Sequence, residues 1–220
     1  QNIITAMDQV PAGGKIILLE GEHVIDHQID IEKSVSIIGE NPENTLLIML
    51  NENAIVNPGV DIEKFVIKNI QFVEMPAEMG IYVDSRFGEA IIENCIFNVE
   101  NPKGVQIVVS GEGNLNFKNN IFNIEVDSND LSLIGIGGQV TGEINNNILN
   151  SINAVENRGN ALINVNSNYW GTNDFSQINN ENLQLENIVI ADVTVSPSEI
   201  MAGESATVTH MLPANATGTI

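Results

Sequence analysis

"YVDSR", Tyr82 to Arg86, sets a phenol, a carboxylate and a guanidinium at alternate positions of one short stretch. In a β-strand with Ile81 and Val83 turned inward, that alternation puts Tyr82 and Asp84 on the outer face. Tyr82, Asp84 and Arg86 are the candidate binding residues, because a carboxylate and a guanidinium this close can hold a hydroxylated ligand. If the protein is an enzyme, Asp84 and Arg86 are the groups suited to acid–base work. A strand-end ion pair between them would need no function at all. Glycoside hydrolysis requires two carboxylates at a set separation. With 29 Asp and Glu in 220 residues, some pair meets that separation by chance, so a carboxylate pair alone identifies nothing.

Metal-binding types occur in two places. "EVDSNDLS" brings Asp127, Asn129 and Asp130 together in a short loop, hard oxygen donors of the kind calcium takes. The loop lacks the glycine and closing glutamate of an EF-hand, and a polar turn without metal is the simpler reading. In "EHVIDHQID", His23 and His27 share strand parity beside Glu22 and Asp26, a donor set that suits zinc or copper. Four residues of strand span about 13 Å, too far for one ion unless the chain turns between them. The single cysteine, Cys95, excludes an internal disulfide framework and a cysteine-rich zinc site. Its expected place is the wall of the core, as a small apolar residue. Asn215-Ala216-Thr217 is an N-glycosylation sequon, meaningful if the protein is exported.

Eight Lys and Arg against 29 Asp and Glu give a formal charge of -21. Such a surface repels nucleic acid and anionic membranes and argues against a polyanionic partner unless cations mediate. No run of about 18 apolar residues suits a membrane span. No basic start followed by an apolar core reads as a signal peptide.

The elements that must carry these residues show a repeat. "IKNIQF", "IENCIF", "FKNNIF" and "INNNIL" begin at Ile67, Ile92, Phe117 and Ile144, at intervals of 25, 25 and 27 residues. Each opens apolar, carries Asn third and closes apolar. Between them lie short Ile- and Val-rich runs punctuated by Gly, Asn and Asp, too closely spaced for connecting helices. A period near 25 holding three strands of four to five residues describes one circuit of a triangular solenoid, stacked at about 4.8 Å per coil. Asn69, Asn94, Asn119 and Asn146 are expected to form a structural ladder. Each turns inward, its amide bonded to the equivalent turn one coil away, because buried polar groups survive only when paired. Gly39 starts that column and Ser167 occupies its matching place near the end. The preceding place reads Lys68, Glu93, Lys118, Asn145, an alternation that favours the same register. Phe72, Phe97, Phe122, Leu149 and Trp170 form a column of large core residues.

Ahead of the coils, "NIITAMDQV" spaces Ile3, Ile4, Met7 and Val10 for a short helix, with Asn2 as its cap. Residues 1–14 are thus an N-terminal cap and 1–178 a β-helix domain. Residues 179–187 are a polar linker. Residues 188–220 read strand, proline turn, turn, strand: the start of a β-sandwich, too short to close one.

At the helix, "PAGGKIILLEGEHVIDHQIDIEKSVSIIGENPENTLL" and the Asn-bearing coils, the sequence resembles the right-handed parallel β-helix superfamily with the pectin-lyase-like fold. The resemblance covers roughly residues 1–178 and implies an all-β solenoid whose N-terminal helix closes the open end of the core. "NSNYWGTND" and "VTVSPSEIMAGESATVTH" resemble the end of such domains, and the first strands of a following Ig-like domain, in adhesin-like cell-surface proteins of methanogenic archaea. That family implies an extracellular, surface-attached module whose partners are glycans, other cells and further Ig-like domains of its own chain. Polygalacturonases of the same fold carry "NTD", paired "DD", "GHG" and "RIK" strings, none of which occurs here. Pectate lyases need calcium-binding carboxylates beside an arginine, and this chain has only Arg86 and Arg158, the latter in the turn "VENRGN". The fold hosts both enzymes and binding modules, so it does not settle function. The sequence favours a non-catalytic adhesin module. The alternative is a carbohydrate-active lyase, hydrolase or epimerase acting on a neutral or calcium-bridged polysaccharide.

Overall fold

The computed structural model describes residues 2–50, 54–74, 79–99, 105–124, 132–196, 207–211 and 216–217. The candidate calcium residues Asp127, Asn129 and Asp130, and the sequon Asn215, lie outside the described residues.

The chain is a parallel β-solenoid with one short N-terminal helix. Ile3–Gln9 is helical because Asn2 satisfies its first amides: the side-chain oxygen accepts from Ile4 at 2.7 Å and Thr5 at 3.3 Å. Ile3 and Met7 are buried against the first coil.

Each coil then crosses three faces. The first is laid down by Gly14–Leu18, Val35–Gly39, Ile62–Lys68, the ends of Ile81–Glu93 and Ile107–Lys118, and Gln139–Asn145. The second holds Gly21–Ile25, Thr45–Met49, Gln71–Glu74, Ile96–Val99 and Ile121–Ile124. The third holds Ile29–Asp30, Ile55–Asn57, the starts of the two long strands, Ile134–Ile136 and Val155–Asn157. All of these pairings are parallel. They stack like on like, so each inward position becomes a column.

Ile37, Ile67, Ile92, Phe117 and Ile144 form one such column and Leu47, Phe72, Phe97, Phe122, Leu149 and Trp170 another, every member inaccessible to solvent. Neighbouring rings of Phe72, Phe97 and Phe122 lie 4.8 Å apart, nearly parallel. That offset stacking is imposed by the strand spacing itself.

Two expectations need correction. Strands of four to five residues are expected in every coil, yet Ile81–Glu93 is one continuous strand of 13 residues, and Ile107–Lys118, with 12, repeats the pattern. The corner between the third and first faces contains no turn. It is made by a bend at Gly88 and Gly113, where the register shifts. A Cβ on Gly113 would lie 2.2 Å from the Phe87 carbonyl oxygen, so only glycine fits. The stretch 179–187 does not hang free of the coils. Gln184 bridges in parallel to Asn164 and Ile188 to Asn168, and Leu185 and Ile188 are buried. Its polar letters conceal this because only Leu183 and Leu185 within it, with Ile188 just beyond, supply apolar contact. Beyond it, Asp192–Ser196 and Thr207–Met211 pair antiparallel, and Asn187–Ile188 pairs antiparallel with Ala216–Thr217.

Candidate functional site

Tyr82, Asp84 and Arg86 lie in the long strand Ile81–Glu93, with Ile81 and Val83 buried and Asp84 and Arg86 exposed. The next coil supplies their partners. Asp84 pairs in register with Ser110 and Arg86 with Glu112. The Tyr82 hydroxyl donates to Asp84 Oδ2 at 2.8 Å, and the Ser110 hydroxyl donates to Asp84 Oδ1. Arg86 Nε lies 3.4 Å from Glu112 Oε2. Asp84 and Arg86 thus share a strand without pairing with each other.

The electrostatics follow from these contacts. Hydrogen bonds from Ser110 first, then Tyr82, hold the Asp84 carboxyl below the usual carboxylate range. The same hydrogen bond, with partial burial and the carboxylate charge, raises the Tyr82 phenol. At neutral pH the pair is an anion accepting from two hydroxyls. This arrangement suits accepting a ligand's hydroxyl and opposes donating a proton to a leaving group. Ser110 and Glu112 were not singled out from the sequence. The coil period could have found them, because each lies 26 residues after its partner.

At the edge of this row, Arg86 and Glu112 join Asp61, Glu63 and the bend glycines Gly88 and Gly113 around a pocket of about 460 Å³ floored by Ile62 and Phe87. The pocket opens where the continuous strands turn the corner.

The expected ladder stands one residue away from its predicted inward position. Asn69, Asn94, Asn119 and Asn146 do stack, and Asn94 Nδ2 donates to Asn69 Oδ1 at 2.8 Å. Their φ angles of 55° to 57° are left-handed, and Ser167 follows at 60°. Asn94, Asn119 and Asn146 are exposed. Asn recurs there because a turn after each first-face strand needs positive φ, which Asn tolerates better than most residues.

The buried amides come next in the chain: Asn120, Asn147 and Asn168, each 2% exposed or less. Asn120 Oδ1 accepts from the Cys95 amide at 2.9 Å, Asn147 Oδ1 from the Asn120 amide at 2.8 Å, and Asn168 Oδ1 from the Asn147 amide at 2.9 Å. Their Nδ2 groups donate to the Ile92, Phe117 and Ile144 carbonyls at 3.0, 3.1 and 2.7 Å. Cys95 holds the same column position, its thiol directed at the Ile67 carbonyl. Burial pushes that thiol up to about 12, so Cys95 is not a nucleophile.

His23 and His27 do not converge. His23 Nε2 meets the Leu19 carbonyl at 2.8 Å, while His27 Nδ1 meets Asp26 at 3.0 Å. Arg158 is paired with Glu156 at 2.7 Å. Among the described residues, no three His, Cys, Asp or Glu are grouped to hold a metal, and no helix is long and apolar enough to cross a membrane.

No protein family, curated protein or solved structure matches the chain in comparison with known proteins.

Proposed function

We propose that the protein is a non-catalytic binding module of a cell-surface adhesin, a rigid acidic solenoid that presents its outer faces to glycans or to other cells. The observation that carries this reading is the Tyr82–Asp84–Ser110 row. An aromatic ring, an ionised carboxylate and a hydroxyl sit in register on two neighbouring strands, each anchored by its neighbour. Sugars are recognised by such a set, a ring face for C–H groups and fixed acceptors for hydroxyls. Asp84 held in its anionic form lacks the proton a glycosidase acid must supply.

In this reading the module lies outside the cell, attached to the surface and followed by further Ig-like domains of the same chain, which is what the resemblance to adhesin-like proteins of methanogenic archaea implies. The large negative charge fits a solvated surface rod and disfavours acidic polysaccharides unless calcium bridges them.

The test is a glycan-array screen of oligosaccharides with and without calcium, with Tyr82→Ala and Asp84→Asn beside the native chain. Binding that falls about tenfold in both variants supports the reading. Hydrolysis or β-elimination of a bound oligosaccharide would replace it with the carbohydrate-active alternative.

A further inference from the structure

The outer surface of the second face differs from the other two. Leu46, Gln71, Ile96, Ile121, Ile148 and Tyr169 stand in one outward column across six coils, joined by parallel pairing throughout. All are half-buried. None of these six is Asp, Glu, Lys or Arg, in a chain of net charge -21; the charged residue of the column is Glu22, which pairs with Leu46 and heads it at the N-terminal end. The corresponding column of the first face is Lys68, Glu93 and Lys118, and the third carries Asp84, Arg86, Glu112 and Glu156. Beside this column, Asn123 Nδ2 donates to Asn98 Oδ1 at 2.9 Å. That single bond leaves the Asn98 amide protons and the Asn123 carbonyl for an outside partner.

We propose that this face binds an uncharged, extended polysaccharide chain laid along the solenoid axis. The proposal rests on the reading of the protein as a glycan-binding module and names a surface and ligand class distinct from the Tyr82 row.

Three considerations select this occupant. A charged polymer would gain nothing from the six uncharged positions, and an anionic one would be repelled by Glu22 and by the rest of the molecule. A second copy needs about 800 Å² from each partner. Five coil steps of about 4.8 Å by about 13 Å of strand offer only about 300 Å². A peptide strand needs a free sheet edge, whereas these strands spend their backbone groups on neighbouring coils. A neutral glycan asks for what is present: apolar side chains under its ring faces, amides for its hydroxyls, and the Tyr169 ring at one end.

The experiment is retention by insoluble cellulose and by soluble mannan in affinity gels, with polygalacturonate as the acidic control. Native chain, Ile121→Lys, Tyr169→Ala and Tyr82→Ala are compared after thermal melts identify the folded variants. The expected result is retention by a neutral polymer and not by polygalacturonate. Ile121→Lys should weaken it about tenfold or more, with Tyr169→Ala following, and by a larger factor than Tyr82→Ala does. Retention lost in Tyr82→Ala but kept in Ile121→Lys would overturn this proposal and leave the Tyr82 reading standing. Retention that depends on Ile121 while the oligosaccharide array stays blank would do the reverse. No retention and a blank array would sink both. A native dimer in sedimentation that Ile121→Lys turns into monomer would assign the face to a second copy and also overturn the proposal.

Discussion

At the residue scale, the asparagines divide into two jobs that their letters do not distinguish. The column at Asn69, Asn94, Asn119 and Asn146 serves backbone geometry, and the next one serves burial. Asn119→Gly should therefore cost only a few tenths of a kcal/mol, and Asn119→Val about 1–2 kcal/mol, because a β-branched residue resists positive φ. Asn147→Leu is a different case. It strands the Asn120 amide and the Phe117 carbonyl in the core, at about 1–3 kcal/mol each. Urea midpoints of the three variants should fall in that order; equal midpoints for Asn119→Val and Asn147→Leu would contradict the assignment. Cys95→Asn should raise the midpoint, since an amide there can accept from the amide one coil back and donate to the Ile67 carbonyl. At Asp84 the folded carboxyl titrates below its unfolded value. Its contribution is complete above the unfolded value of about 4 and is lost as pH falls through the lower folded value. An NMR titration should find Asp84 still ionised where ordinary aspartates are half protonated, and Ser110→Ala should move it back toward them.

At the element scale, the solenoid was legible in the sequence and one part of its register was not. The 25-residue return of apolar–x–Asn–x–x–apolar located the coils and the Phe72 column, because the stacked core forces identical residues into identical places. The direction of the asparagines is not legible because "KNN" holds two Asn in succession and "NNN" three, and period alone cannot say which one sits in the turn. The continuous corner strands escaped notice because a bend needs only glycine, a weaker signal than a turn. Tyr82 and Asp84 were placed on the right face by simple alternation. Their partner Ser110 needed the coil period applied to the site itself. The N-terminal helix gives the element-scale prediction. Asn2→Ala should cost about 1 kcal/mol through the lost cap. Deletion of residues 1–14 should expose Ile16 and Leu18 at the end of the core and produce association in sedimentation, where a soluble monomer would refute the capping role.

At the scale of the whole molecule, the solenoid is a rod whose inside is set by stacking and whose outside varies face by face. The first face is laced by Lys64–Glu89 and Lys68–Glu93 pairs, which matter for register more than for stability. The third carries the anionic hydroxyl-accepting row, and the second is uncharged along its central column from Leu46 to Tyr169. The strands that carry the Tyr82 row are paired in parallel with neighbouring coils on both sides. Glycan recognition without turnover is the central claim. The most direct test is the glycan-array screen with and without calcium, followed by incubation of any hit and chromatography of the recovered sugar. Binding that depends on Tyr82 and Asp84, with the sugar recovered at its original length, is the predicted result. Shortened or unsaturated products that vanish in Asp84→Asn would contradict it.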